Sequence, residues 1–424
     1  MKKIFILAIL LIANYNSFSQ FLVDAQLRPR GEIRNGYKNI AESSDIPAFL
    51  ISQRTRFGLT FTQDLYKIRI NIQDVRIWGD ESLYSSTAVY GDNASLDLYE
   101  GWLLVRLGSS FTAKIGRQEW YYEDQRLLSR RNWNQNGVVY DGILLGFNKK
   151  NIQLDLGLSM NNDKDNTSGN EYTPDKLKFL NFIYFNGKIS DALNASFMGV
   201  LSGNQKEEGS NTIYVLGTLG PYIKYKSTKL SAQFNAFYQT GTNIKSETVS
   251  AYLLNAKANL QINQKIIIGA GFDIISGNDK SKIKTKDNSF DLLYGGRHSF
   301  NGEMDLFSNL QKSTSDAGLN DYYANLGLKI NHKNSVFLTY HNFRLNTNAY
   351  KPDTMQELNK QLSSEIDFSY KHKHDLPIDL TIGFCINKPT KSMKIIQNIS
   401  ETDNTFNYFS YIMFTLTPEL FSTK

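Results

Sequence analysis

From Phe21 onward the chain alternates between two kinds of residue: Phe21, Val23, Ala25, Leu27, Pro29, Gly31 and Ile33 hold the odd positions, and Leu22, Asp24, Gln26, Arg28, Arg30, Glu32 and Arg34 the even ones. Successive side chains of a strand point to opposite faces, so a period of two gives one face suited to lipid and one suited to water. The alternation returns at Ile152 to Met160, at Tyr252 to Ile262 and at Ile366 to Tyr370. Each such segment is about ten to fourteen residues long, which is what a tilted strand needs to cross a bilayer.

Marking every segment of this kind places strands near 21–34, 49–63, 66–78, 96–107, 111–121, 138–148, 151–160, 177–189, 192–203, 212–226, 229–240, 250–262, 265–276, 321–331, 334–345, 362–372, 377–386 and 406–417. Short connections, as at Asp64-Leu65, Lys149-Lys150, Ser227-Thr228 and His332-Lys333, take turns with longer polar ones. The expected fold is all-β: one closed antiparallel transmembrane β-barrel of about eighteen strands, with short periplasmic turns and long outer loops. A secreted array of soluble β-sandwiches fits the composition too, but has no reason to alternate short and long connections. The longest connection, Gly277 to Asn320, has a Lys/Asp-rich half that reads as solvated and an aromatic half, Phe290 to Phe307, that reads as packed.

The N-terminus carries Lys2 and Lys3, an apolar run from Ile4 to Ala13, and a polar stretch ending Ser17-Phe18-Ser19-Gln20. This is the pattern of a secretory signal, expected to be cut after Ser19, so that residues 1–19 form a signal peptide and 20–424 the barrel. The run is too short for a spanning helix of roughly twenty residues. With 26 Phe and 24 Tyr against 8 Pro, and a mean hydropathy of -0.38, the rest of the chain suits strands that are only half apolar. The expected location is the outer membrane of a Gram-negative bacterium, with outer-membrane lipid as the surrounding partner. Lone Cys385 excludes an intrachain disulfide framework. The net charge of +6 is mild and no nucleic-acid motif is present, so nucleic acid is not an expected partner.

The charge is unevenly placed. Twelve of the fourteen Arg lie between Arg28 and Arg131. Strand phase turns Arg54, Arg56 and Arg69 to the lumen, because Phe57, Leu59, Phe61, Ile68, Ile70 and Ile72 face lipid. The expected pore-lining set is Arg28, Arg30, Arg34, Arg54, Arg56, Arg69, Arg76, Arg106, Arg117, Arg130 and Arg131, with the acids Glu32, Glu100, Glu119 and Asp141. Continuing the phase of Phe111, Ala113 and Ile115 would put Arg117 and Glu119 in hydrocarbon, and that of Ile143 and Leu145 would do the same to Asp141, at several kcal/mol each. Paired bulges at Gly116 and Gly142 would turn these charges inward; alternatively both strands end there and the charges sit in loop. Tyr121 to Gly137, with Arg126, Arg130 and Arg131 and flanking Trp, is expected to fold into the lumen.

The runs Gly116-Arg117-Gln118-Glu119-Trp120, Arg126-Leu127-Leu128, Arg130, Arg131-Asn132-Trp133-Asn134-Gln135 and Asp141-Gly142 resemble the alginate export family of outer-membrane barrels. Leu27 to Glu32 is similar to that family's first strand, as are Leu293-Tyr294-Gly295-Gly296, His298, Phe300-Asn301-Gly302 and Met304-Asp305 to a later stretch. The resemblance implies an electropositive lumen that passes an anionic polysaccharide, with Arg28, Arg30, Arg117, Glu119, Arg130 and Arg131 at the matching positions. Two departures, the scarcity of Arg after Arg131 and the ending Phe421-Ser422-Thr423-Lys424, argue against carrying over alginate itself.

No catalytic constellation, phosphate loop, CxxC or HExxH is present, and His372-Lys373-His374 sits at a turn, so neither an enzyme nor a metal or other cofactor is expected. With the first strand directly after the signal, a plug-bearing transporter is not expected either. Two functions remain: a porin or export channel for anionic polysaccharide or small anions, served by periplasmic export partners, and a structural or adhesive barrel whose arginines brace the wall against carboxylates while its outer loops bind a partner.

Overall fold

A computed structural model describes residues 19–79 and 96–423, apart from 163, 166, 170, 171, 173–175, 208, 209 and 352. The expected signal peptide therefore lies almost wholly outside the described residues. Among them the chain forms β1 (Gln20–Asn35), β2 (Ala48–Thr62), β3 (Tyr66–Ile77), β4 (Asp97–Leu107), β5 (Phe111–Gln118), β6 (Tyr140–Lys149), β7 (Ile152–Met160), β8 (Leu177–Lys188) and β9 (Leu193–Gln205). It continues with β10 (Ile213–Lys226), β11 (Leu230–Thr242), β12 (Thr248–Gln261), β13 (Ile266–Ile275), β14 (Leu319–Lys329), β15 (Asn334–Leu345), β16 (Gln361–Lys373), β17 (Ile378–Pro389) and β18 (Asn407–Leu416). Every neighbour pairs antiparallel, and β1 pairs with both β2 and β18, which closes the barrel.

The closing seam contains a piece the alternation did not reveal. Pro418 has no N–H to give a ladder, so β18 stops before it. The chain then resumes as a short β19 (Glu419–Ser422), which pairs with Leu22, Val23 and Asp24 of β1 below the β18 contacts. The break is bridged by the Ala25 N–H donating to the Pro418 carbonyl.

Apolar side chains of the outward face, such as Ile70, Ile143, Leu156, Phe197, Leu326 and Phe384, are exposed to what would be lipid. The inward face carries Asn235, Gln239, Asn255 and Ser363, all buried. Water-filled space does not bury such groups; protein inside the barrel does. Two connections fold inward, the one after β5 and the one after β13, and build an internal core with the wall. Trp120, Leu127 and Leu128 of the first and Phe290, Met304, Leu306 and Phe307 of the second belong to it. The aromatic half of the long connection is packed as expected, while Ile283 in its other half is almost fully exposed.

The phase switch at Gly116 and Gly142 does not occur. Antiparallel partners share a face, and the register runs unbroken: Leu103 opposes Ile115, Gly101 opposes Arg117, and Arg117 opposes Asp141. Arg117 and Asp141 therefore point outward like Ile115 and Ile143, near the outer ends of short strands. They meet each other, Nε to Oδ1 2.9 Å and Nη2 to Oδ2 2.8 Å, with Asp97 3.9 Å away. Arg76 is also outward, opposite Gln53 and beside Asp74, to which its Nε donates at 2.7 Å. The two glycines serve another purpose. A Cβ on Gly116, at φ +120°, would lie 2.2 Å from the Gly101 carbonyl oxygen, and one on Gly142 would lie 2.8 Å from the Trp120 ring. The phase shift of this wall sits in β4 instead, where the register jumps between Asn71 and Ile72 of β3 and turns Tyr99 and Glu100 inward together.

Candidate functional site: a cationic cavity inside the barrel

The inward segment after β5 is fastened to the arginine wall by its own backbone. Arg28 donates to the Asn132 carbonyl at 2.6 Å and to Gln135 Oε1 at 2.7 and 3.0 Å. Arg54 donates to Asn132 Oδ1 at 2.8 Å and to the Gln135 carbonyl at 3.3 Å. Arg30 reaches the Trp133 carbonyl at 2.7 Å and lies 3.9 Å over the Trp133 ring, while its Nε holds Glu32. Arg56 stacks 3.4 Å over Tyr99, whose hydroxyl donates to Glu119 at 2.6 Å. Arg28 and Arg54 are only 2% and 1% exposed.

These contacts decide which expected residues line open space. Arg34 shares Glu32 with Arg30, and Arg69 bridges Asp24 and Glu100 in the wall. Arg106 closes on the carbonyls of Gln63 and Asp64 at the periplasmic edge. Glu119 is inside, beside Tyr99, although β5 ends one residue before it. Arg28, Arg130 and Arg131 do border a cavity of about 500 Å³, which also takes in Lys38, Arg297 and Lys371. Asp305 is the one carboxylate among the described residues of its lining. Among the described residues, Arg28, Arg54, Arg56, Arg130 and Arg131 form no ion pair with a carboxylate. Burial and the neighbouring Arg297 lower the Arg131 pKa, the mark of a cation crowded by another.

The second inward segment locks onto the first. Arg131 donates to the Gly295 and Leu293 carbonyls at 3.0 and 2.8 Å, and the Gly296 N–H to the Gln125 carbonyl at 2.9 Å. Arg126 grips Asp273 of β13 through both terminal nitrogens at 3.0 to 3.1 Å. A second cavity, of about 800 Å³, lies toward the periplasmic ends, bounded by Ser231, Asn259 and Ile267 and lined with Asp273, Asp321, Glu303 and Asp367. His341 is held there by Asp321, Nδ1 to Oδ2 2.8 Å.

Sequence reasoning missed Lys38, Arg297 and Lys371. For Lys371 the signal was present: it continues the inward phase of Glu365, Asp367 and Ser369. No cluster of His, Cys, Asp and Glu suited to a metal ion occurs among the described residues.

The fold has close relatives in shape. Acinetobacter baumannii OccAB1 superposes with a TM-score of 0.62 at 11% identity, covering 95% of this chain and 97% of that one. Pseudomonas aeruginosa OpdL does so with 0.60 at 12% identity, covering 95% and 99%, and P. aeruginosa OpdO with 0.57 at 11%, covering 95% and 98%. At such identities the likeness establishes the fold alone, that of an outer-membrane porin. No curated protein sequence matches the chain. The sequence model of alginate export proteins, however, matches residues 21–368. An outer-membrane β-barrel with two inward-folded connections and a family match over most of its length, this chain belongs to the alginate export family, whose fold is that of channels and not of enzymes.

Proposed function

We propose that the barrel is a channel for anionic solutes, anionic polysaccharide among them, and that the 500 Å³ cavity is its selective passage. The observation that carries this reading is the imbalance around that cavity: six cationic side chains against Asp305. Backbone carbonyls orient Arg28 and Arg54 but do not cancel their charge, so a positive potential extends into the cavity. Cationic linings select for anions. The volume falls in the range of about 300–1,000 Å³ typical of small-ligand sites, so a polymer would thread it a short stretch at a time. In an export direction, a periplasmic partner would present the polymer at the inner cavity.

The test is the reversal potential of the purified barrel in a planar bilayer under a KCl gradient. The wild type should favour anions, and Arg130→Gln with Arg131→Gln should move the potential toward cations. A wild type that favours cations, or a double variant with an unchanged potential, would overturn the proposal. The bracing alternative is favoured by the donors that Arg28, Arg30 and Arg54 spend on residues 132–135 and Glu32; a barrel that conducts nothing would decide for it.

A further inference from the structure

We infer that the lipid-facing wall at the outer ends of β15, β16 and β17 carries a binding site for a phosphorylated, acylated glycolipid of the outer leaflet. The site lies outside the lumen and is independent of the channel reading. The wall is indented there by a groove of about 580 Å³, lined by Tyr340, Ile366, Ile386 and Phe406 together with Lys388 and Lys394. Strand register stacks the apolar and the charged residues in layers. Tyr340 opposes Ile366 and Ile366 opposes Ile386, all on the outward face, and one pleat nearer the outer rim Ser364 opposes Lys388. Lys388 continues the outward phase of Ile382, Phe384 and Ile386 and is exposed. Arg344 continues that of Leu338 and Tyr340 to the outer end of β15 and is exposed too. At the boundary between the layers the Tyr340 hydroxyl lies 3.1 Å from Ser364 Oγ. Apolar side chains thus stand at acyl-chain depth, with cations above them where lipid head groups lie.

These cations lack the partners that outward charges have elsewhere. Arg117 is matched by Asp141 and Arg76 by Asp74. Among the described residues, Arg344, Lys388 and Lys394 form no ion pair with a carboxylate. Lys394, in the connection between β17 and β18, is only 7% exposed, and its ammonium donates to the Glu401 carbonyl at 3.2 Å and to Asn404 Oδ1 at 3.4 Å. An ammonium has three donors, so one is left for a ligand. Asp403 is the one carboxylate among the described residues of the lining. It is occupied by the Ser43 N–H at 2.8 Å and by the N–H and hydroxyl of Thr405 at 2.9 and 2.6 Å. A soluble anion would match the cations and leave the apolar layer unused, while a plain acyl chain would do the reverse. An amphiphile with phosphate above its acyl chains uses both, and the outer leaflet of a Gram-negative outer membrane supplies one in its phosphorylated glycolipid.

The experiment titrates the purified barrel in detergent with diphosphorylated lipid A, dephosphorylated lipid A, phosphatidylglycerol or inorganic phosphate. Native mass spectrometry reads the bound probe, and heat-modifiable gel mobility confirms that each barrel is folded. Diphosphorylated lipid A should bind more tightly than the other three. One charge acting across about 4 Å of water is worth about a fivefold factor, so Lys388→Gln and Arg344→Gln should each weaken that binding by about fivefold and together by about twenty-five-fold. Both side chains are exposed, so the variants keep the fold. Lys149→Gln, an equal charge change at a periplasmic turn, should have no effect. Ser364→Trp, which fills the groove and leaves its charges in place, should weaken binding of both forms of lipid A. Equal affinity for the two forms would show that the head-group charge is not read. Phosphatidylglycerol or inorganic phosphate bound as tightly as diphosphorylated lipid A would show that the site does not select the glycolipid. Undiminished binding in the Lys388/Arg344 double variant or in Ser364→Trp would place the bound lipid elsewhere on the barrel. Each of these last outcomes overturns the inference and leaves the anion-channel reading where it stands.

Discussion

Trp133 lies flat against His298, ring centroids 3.6 Å apart and planes 9° from parallel, and this contact joins two segments that leave the wall far apart in sequence, after Gln118 and after Ile275. The pair is clamped from every side. Arg30 covers the other face of Trp133, the Trp133 Nε1–H donates to the Tyr37 hydroxyl at 3.3 Å, and Tyr37 and His298 both hold Asp305. The passage is thus shaped by a cross-link between loops as much as by the wall.

Replacing Trp133 by alanine should separate the two segments and widen the lumen. Trp133 is half-buried, so truncating it should cost less than the about 3–5 kcal/mol of a fully buried Trp, a loss falling mainly on the attachment of the loops. Single-channel conductance should rise while the barrel stays folded by gel mobility. A conductance equal to that of the wild type would show that another contact holds the constriction.

The Arg126–Asp273 pair is buried on both sides, so breaking it leaves a charge without a partner. Asp273→Ala should cost about 3–5 kcal/mol. The loss should appear as faster amide exchange over residues 121–137. Exchange no faster than in the wild type would place the anchor elsewhere.

Docking of that segment should weaken as pH rises. Glu123, in the connection, accepts a hydrogen bond from Ser196 on β9, and burial, with Asp124 adding to it, pushes its pKa up to about 7. A carboxyl raised in the folded state is favoured protonated, so its contribution is intact below the ordinary value of 4.5 and is lost as pH climbs toward 7, by up to about 3 kcal/mol. Asp124, also raised by burial, acts in the same direction. Protection of residues 121–137, taken relative to the intrinsic base-catalysed exchange rate at each pH, should fall between pH 5 and 8, and Glu123→Gln should flatten that fall; a fall of unchanged slope in that variant would assign it to another group.

Neutralising Arg117 and Asp141 together should leave selectivity untouched, because both point away from the lumen. Arg117→Gln alone strands Asp141, whose carboxyl side chain is 57% exposed at the outer ends of β5 and β6, so the loss should be under about 1 kcal/mol. A reversal potential altered by the double variant would return these residues to the ion path.

The wall was legible almost residue by residue, since lipid outside and polar groups inside impose the period of two on each strand separately. What one strand cannot disclose is its partner. The cost assigned to Arg117 in hydrocarbon assumed a lone charge; the register brings Asp141 alongside it, so no bulge is required. Gly142 looked like a bulge and is instead the gap that receives the Trp120 ring. The inward fold of residues 121–137 was readable from its Trp and Arg. The partners of Arg28 and Arg54 were not, because half of them are main-chain carbonyls, which no side-chain pattern records, and the rest are amide oxygens, chiefly of Asn132 and Gln135 in a distant segment. Lys371 and Arg297 joined the arginines only through closure of the barrel.

Closure also depends on the shortest strand. The lower edge of β1 presents its hydrogen-bonding groups to β19, four residues at the far end of the chain, and the Pro418 carbonyl fills the gap between β18 and β19. Without those residues that edge has no partner, and unpaired backbone is not tolerated against lipid. A chain shortened before Glu419 would retain every strand that encloses the passage and still leave its first strand open to the membrane along one side.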